Sequence, residues 1–360
     1  MIARRKSSWG AMTGLALALA VVTHPAIAAT ADVAANPPPP QGSGQPSAFD
    51  VHEGTSYAVA VSPDGRWLAF YLQGSLWVVS TKGGAARRIT DYYNDAHLPV
   101  WSPDGSRLAY YAYREGNYNL WTVRPDGSDA RQLTLGEYDD REPVWSPDGA
   151  TIAFASDRGG AYNIWAVDVA GGVPRQLTSG PREDRAPAWS NDGHTIAFSA
   201  TQGGASALYS IPASGGAAVQ LHAAPAGARF DAPSYAPDGR LAYVAQDATG
   251  SHLVMGDTPV SGGENVFPFR ATWQGGQTYY ISDGLIRRRS GTHLETVPFS
   301  ARLEVTRPDY PRVQRDFTST APRRVVGIDH PALSPDGQKI AFVALGDLWV
   351  VSSQAASRNN

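Results

Sequence analysis

Ser62-Pro63-Asp64-Gly65 is the first copy of a tetrapeptide that recurs at 102–105, 146–149 and 334–337. Near copies stand at 190–193, where asparagine replaces the proline, and at 236–239, where alanine replaces the serine. The first five copies start 40 to 46 residues apart, and the last gap of 98 residues spans about two such periods. A period in the forties is typical of a repeat architecture.

The tetrapeptide predicts a hairpin turn. Proline presets φ for the second position of a type I turn, aspartate suits the third position, and glycine accepts the left-handed conformation that closes the hairpin with a bulge. Each copy is therefore expected to join two strands.

The residues around the third copy predict a four-stranded unit. Short β-branched and aromatic segments at 142–145, 151–154, 163–167 and 174–178 are separated by loops rich in glycine or aspartate. The same four segments recur around the other turns. One such antiparallel meander cannot bury both of its faces, whereas copies arranged around an axis can, so the pattern predicts an all-β fold of the β-propeller type.

The blade count follows from a degenerate copy at 271–281, in which Trp273 takes the place of Trp145 and a glycine pair replaces the turn. Including it gives seven four-stranded blades, and six blades plus an inserted hairpin is the alternative. The last copy supplies only three strands, so we expect residues 48–52 to pair near Trp349 as an N-terminal strand that closes the ring.

The ends of the chain indicate export. Residues 1–28 read as a signal peptide, with basic residues, an apolar run and a cleavage site of the small-x-small form. We expect a Pro/Gly-rich linker at 29–47, the β-propeller at 48–353 and a disordered tail at 354–360. The expected location is periplasmic or secreted, with no membrane span after signal cleavage.

Composition removes several classes of function. The chain has no cysteine, which excludes disulfides, thiolate metal sites and a cysteine nucleophile. Its net charge is −3, with 30 basic and 33 acidic residues, so no nucleic acid partner is expected. No motif of a zinc peptidase or of a serine nucleophile elbow occurs, and the sequence predicts no catalytic residues, no metal ligands and no cofactor.

The turns and the strands around them resemble the TolB-like family of exported propeller repeats. The match is carried by 101–105, by 108–110 and by the Arg-Gln-Leu-Thr segments at 131–134 and 175–178. Similar propellers occur in the Tol system, in tricorn-like and prolyl oligopeptidase-like peptidases and ahead of amidohydrolase domains, so the resemblance implies the fold more than the function. The segment 344–351 also resembles the N-terminal propeller of amidohydrolase-associated proteins.

Charged residues precede the first strand of successive blades. Equivalent positions of a propeller share one face, so we expect these groups to gather around one mouth of the central channel, opposite the turns. They could pair with one another and cap strand ends, or they could bind a partner. The candidate binding residues are Asp95, His97, Asp139, Asp140, Arg141, Asp184, Arg185, Asp231, Asp329 and His330.

These observations favour a non-catalytic exported propeller that acts as a protein or peptide interaction module in the periplasm. The alternative is a truncated N-terminal propeller of a larger amidohydrolase or tricorn-like peptidase. The two readings differ in whether a hydrolase sequence accompanies the propeller.

Overall fold

The computed structural model describes residues 47–114, 116–305, 327–344 and 346–353. The predicted signal peptide at 1–28, nearly all of the linker and the tail at 354–360 lie outside these residues. The described residues fall into two compact units, one within Gly44–Arg307 and one that contains a three-stranded sheet near the C-terminus. Within these ranges, no helix has the length and apolar character needed to cross a membrane.

The larger unit contains six successive four-stranded antiparallel blades. The strands of blades 1 to 3 are β2 (Val59–Val61), β3 (Trp67–Leu72), β4 (Ser75–Ser80) and β5 (Gly84–Arg88); β6 (Ala96–Trp101), β7 (Leu108–Arg114), β8 (Asn117–Val123) and β9 (Arg131–Gln132); and β10 (Asp140–Trp145), β11 (Thr151–Ser156), β12 (Asn163–Asp168) and β13 (Arg175–Gln176).

Blades 4 to 6 follow the same plan, and the predicted β-propeller fold is confirmed. Their strands are β14 (Glu183–Trp189), β15 (Thr195–Gln202), β16 (Ala205–Pro212) and β17 (Val219–Ala223); β18 (Arg229–Tyr235), β19 (Leu241–Asp247), β20 (Gly250–Met255) and β21 (Thr258–Pro259); and β22 (Thr272–Gln274), β23 (Gln277–Ser282), β24 (Leu285–Ser290) and β25 (His293–Thr296). A 3₁₀ turn, Tyr92–Asn94, lies between blades 1 and 2.

The repeated turn is held by its own side chains. In the first copy, the Ser62 hydroxyl donates to Asp64 Oδ1 at 2.6 Å, and that carboxylate accepts the amide of Arg66 at 3.0 Å. Gly65 adopts φ +70°, as the hairpin requires. The hydrogen bonds from Ser62 and Arg66 lower the pKa of Asp64 to about 2. The carboxylate of the turn is thus engaged in hydrogen bonds within the turn itself.

Two tryptophans of the inner strands, the first strand of each blade, join neighbouring blades. Trp101 Nε1 donates to the carbonyl of Ala60 at 3.0 Å, and Trp145 Nε1 donates to that of Val100 at 3.2 Å. The turns also meet from blade to blade, because Gly105 packs against Pro63 and Gly149 packs against Pro103. One face of the ring therefore carries the turns, as the sequence predicted.

The ring closes by direct contact between blades 6 and 1. The Thr272 hydroxyl accepts the amide of Val61 at 3.2 Å, and the Tyr57 hydroxyl donates to the carbonyl of Gly284 at 3.0 Å. A further strand, β26 (Phe299–Val305), follows blade 6 and pairs in parallel with β5 on the outer edge of blade 1. This strand fastens the last blade to the first.

The predicted partner of the N-terminal strand is wrong. β1 (Ser47–Val51) pairs antiparallel with β26, placing Phe49 opposite Leu303, and not with the segment near Trp349. The larger unit closes with six blades, the alternative count, because blade 6 already covers blade 1. Phe299–Val305 alternates apolar and polar residues, and its apolar side chains complete the blade 1 core, which makes it the natural edge for β1.

The second unit contains the sheet β27 (Asp329–Leu333), β28 (Lys339–Ala344) and β29 (Asp347–Ser352). Its turn repeats the same bonds, with Ser334 Oγ donating to Asp336 Oδ1 at 2.6 Å. It is thus built on the same repeat as the blades.

Replacing Phe299 by alanine should lower the free energy of unfolding by about 3–5 kcal/mol. The ring of Phe299 is 3% exposed and lies 4.8 Å from that of Phe70, so truncation leaves a cavity where β26 fastens the ring. Val305→Ala, at a 40% exposed position of the same strand, is the control. Urea unfolding measures both, and equal losses in the two variants would show that β26 does not hold the ring closed.

Candidate binding site at the channel mouth

A β-bulge interrupts the inner strand of blades 2 to 5. The register with the second strand shifts after His97, Arg141, Arg185 and Asp231. The next residue of each strand has a positive φ of 45–58°, which is costly for a side chain other than glycine. These four residues are Leu98, Glu142, Ala186 and Ala232, and all of them line the central channel.

Predicted residues beside these bulges belong to repeated pairs, in which Glu183 and Arg229 are members that were not among the candidates. In four successive blades, an acidic side chain lies two residues from an arginine or a histidine. We call these the mouth pairs, and their separations are 3.0 Å for Asp95–His97, 2.7 Å for Asp139–Arg141, 3.5 Å for Glu183–Arg185 and 3.9 Å for Arg229–Asp231.

Tyrosine rings separate the basic members of the mouth pairs. The guanidinium of Arg141 lies 4.2 Å from the ring centroid of Tyr118, and that of Arg185 lies 3.6 Å from the centroid of Tyr162. These contacts are cation–π interactions, which are stronger where the cation is partly shielded from water. Each pair is thereby coupled to its neighbour, because Tyr162 also donates to Asp139 at 3.3 Å.

His97 lies at one end of this surface. Its ring stacks on Tyr111 with centroids 5.2 Å apart, and burial lowers its pKa below 6.5 despite the opposing effect of Asp95. The imidazole is therefore largely neutral at pH 7 and acts as a hydrogen-bonding aromatic side chain.

Blades 1 and 6 carry aromatic residues in place of the mouth pairs. At the positions equivalent to His97 and Arg141, blade 1 carries Tyr57, which is fully buried, and blade 6 carries Phe269. Phe269 is partly exposed and lies edge-on to Tyr71, with centroids 6.1 Å apart. The mouth thus combines a charged arc with one partly exposed aromatic ring.

Two predicted residues are too buried to contact a partner. The carboxylates of Asp140 and Asp184 have no exposed surface and pair with Arg158 at 2.6 Å and with Arg182 at 2.5 Å. The Asp140–Arg158 pair holds the next hairpin of blade 3 against the start of its inner strand. The Asp184–Arg182 pair holds the loop before blade 4 against the start of the inner strand of that blade. Their role is structural, in line with the first of the two readings of this charge pattern.

Asp329 and His330 lie in the sheet β27–β29, where His330 Nδ1 is 3.0 Å from Asp329 Oδ2. His330 has φ +50° ahead of a bulge, the same local geometry as in blades 2 to 5. Their place at the mouth remains a prediction, because they belong to the other unit.

Two channel residues were missed from the sequence, Glu142 and Arg270. Both face the cavity at the position one residue beyond the mouth pairs, where the other blades carry Ala58, Leu98, Ala186 and Ala232. The sequence feature that could have identified these two residues is a charge at a position that is apolar in the other blades. Elsewhere in the described ranges, no group of three or more histidine and acidic side chains is arranged to hold a metal ion.

Part of the chain matches a known protein family. Residues 137–267 match the TolB beta propeller domain. This stretch contains blades 3 to 5, and it confirms the resemblance to TolB-like repeats that the turns predicted. Blades 1, 2 and 6 lie outside the matched residues.

Two solved structures share the fold. One is the protein assigned as TolB from Agrobacterium tumefaciens, with 21% identity, a TM-score of 0.50 and coverage of 72% of this chain and 90% of that one. The other is a puromycin-hydrolyzing peptidase of Mycobacterium tuberculosis, with 16% identity, a TM-score of 0.50 and coverage of 81% and 50%. The present chain thus matches half the length of that peptidase.

One curated relative matches over a short segment. Fifty-two residues are 44% identical to the uncharacterized peptidase YuxL of Bacillus subtilis (strain 168). The match covers 13% of this chain and only 8% of that protein. It adds a local likeness to a peptidase sequence.

Replacing Asp140 by alanine should destabilise the ring by about 3–5 kcal/mol, because it leaves the guanidinium of Arg158 without its buried partner. Asp50→Ala, which removes an exposed carboxylate 3.7 Å from Arg302, is the control and should change stability little. Thermal and urea unfolding measure both. A loss no larger than that of the control would contradict the structural role of Asp140.

Proposed function

We propose that the chain is an exported, non-catalytic propeller that binds a protein or peptide at its channel mouth. The single observation that carries this proposal is the repetition of partly exposed acid–base pairs at equivalent positions of blades 2 to 5. The pairs are charged in blades 3 to 5, and tyrosine rings separate the basic residues of blades 2 to 4. Arginine and tyrosine are among the residues that most often dominate the energy of protein interfaces. A surface that presents both, beside the partly exposed ring of Phe269, suits a peptide with mixed polar and apolar side chains.

Arg141 is the best candidate for the central contact. Its side chain is 30% exposed, and its Nη2 donates to Asp139 at 2.7 Å. A partly exposed guanidinium has further donors for a carbonyl or carboxylate of a partner. Arg185 has a longer ion pair, at 3.5 Å from Glu183, and its guanidinium stacks on Tyr162.

Export is the second part of the proposal. It is supported by the signal peptide expected at 1–28 and by the likeness of residues 137–267 to the TolB beta propeller domain. Location in the periplasm or outside the cell follows from export.

A peptidase- or amidohydrolase-linked propeller is the second candidate function. It is supported by the short match to a peptidase sequence and by the structural likeness to half of a puromycin-hydrolyzing peptidase. In that case the mouth would face a hydrolase domain rather than a separate partner. Hydrolysis of a peptide amide by the purified chain itself would favour this candidate.

Peptides selected from a random displayed library on the wild-type protein should lose binding to an Arg141→Ala/Arg185→Ala variant. Loss of two arginine contacts predicts a dissociation constant raised at least about tenfold. The control is Arg66→Ala/Arg240→Ala, which removes two exposed arginines of the repeated turns. Circular dichroism checks the fold of each variant, and selected peptides that bind both variants equally would refute a binding role for the mouth.

A further inference from the structure

Arg270 places inside the channel a cation that forms no ion pair within the described residues. It extends from blade 6 across the channel to blade 4, where its Nη2 donates to the carbonyl of Pro187 at 2.5 Å. Its buried Nε has no hydrogen-bond partner in the described ranges. Burial lowers the pKa of Arg270 to about 10, although the negative charge of Glu142 acts in the opposite direction, so the guanidinium stays charged at neutral pH. A buried cation with one neutral acceptor is costly unless an anion joins it.

A cavity of about 120 Å³ lies beside this guanidinium. It has room for a few water molecules or for a small ligand, since one water takes about 30 Å³ in the liquid. Most of its wall is apolar, with Val59, Leu98, Pro143 and Phe269 among the lining residues. Small clefts with apolar walls and a few fixed polar groups are typical ligand sites.

Two carboxylates line the same cavity and set the charge of the ligand. Glu142 Oε2 accepts the amide of Ala186 at 2.6 Å, and Asp231 Oδ1 accepts the hydroxyl of Ser199 at 3.2 Å. A simple anion would be attracted by Arg270 and repelled by these two groups. A simple cation would be attracted by the two carboxylates and repelled by Arg270. A small molecule with both charges satisfies all three groups.

We propose that this cavity binds a small zwitterion of the α-amino acid class, with its carboxylate on Arg270 and its ammonium group toward Glu142 and Asp231. The short distance between the two charges of an α-amino acid suits a cavity of this size, and the apolar walls accept a small side chain. The site includes Asp231 of one mouth pair but neither Arg141 nor Arg185, and it does not depend on a protein partner.

Isothermal titration with L-alanine at neutral pH tests the proposal, with acetate and methylammonium as the single-charge probes. L-Alanine should bind, and each single-charge probe should bind at least about tenfold more weakly. Arg270→Gln and Glu142→Gln should each weaken alanine binding about tenfold or more, whereas Arg240→Gln, on an exposed turn, should leave it unchanged. Arg270→Lys, which keeps the charge without the planar fork, should give an intermediate loss and serves if Arg270→Gln does not fold.

The proposal is overturned if L-alanine gives neither heat nor a thermal shift, if acetate binds as tightly as alanine, or if the Arg270 variants bind alanine like the wild type. None of these results depends on the displayed-peptide experiment. A failure of peptide capture at the mouth therefore leaves the channel site intact, and the reverse also holds.

Discussion

The contact between the first and last blades is the constraint on which the rest of the larger unit depends. Every blade presents two apolar faces, and a row of blades would leave one face bare at each end. Where blades 1 and 6 meet, Val61 donates a hydrogen bond to Thr272, and neither blade has a bare face. β26 fastens this contact, because it carries the chain from blade 6 to the edge of blade 1. Phe299 and Leu303 then bury their side chains in the blade 1 core, and β1 covers the outer side of β26.

Closure also determines what the channel contains. Once six inner strands surround one axis, the bulges of blades 2 to 5 each direct a side chain into the channel, and the residue before each bulge lies at the mouth. The same local geometry therefore places Arg141 on a surface for a macromolecule and Glu142 in a cavity for a small molecule. Neighbouring residues of one strand thus lie at two levels of the channel. The buried pair of Asp140 and Arg158 holds the start of that strand in place.

The sequence predicted what depends on local interactions. The structure confirms the Ser-Pro-Asp-Gly turns and the strands around them. It also confirms that Trp273 occupies the position in blade 6 that Trp145 occupies in blade 3. These features follow from residues close in the chain. The partner of β1 could not be predicted, because β26 pairs in parallel with a strand more than 200 residues away and its pattern alone names no partner. Glu142 and Arg270 were missed for another reason. Glu142 lies beside Arg141, which fits the expected charge pattern, and Arg270 lies in blade 6, which lacks that pattern. A one-residue shift decides which level of the channel a side chain occupies.

Hydrogen exchange of the full chain, followed by mass spectrometry, tests the closure of the ring most directly. Amides of β26 that pair with β5 and β1 should exchange as slowly as those of β3 and β23, because they open only when the ring opens. Fast exchange in Phe299–Val305, with blades 1 and 6 still protected, would contradict the claim that β26 holds the six blades together.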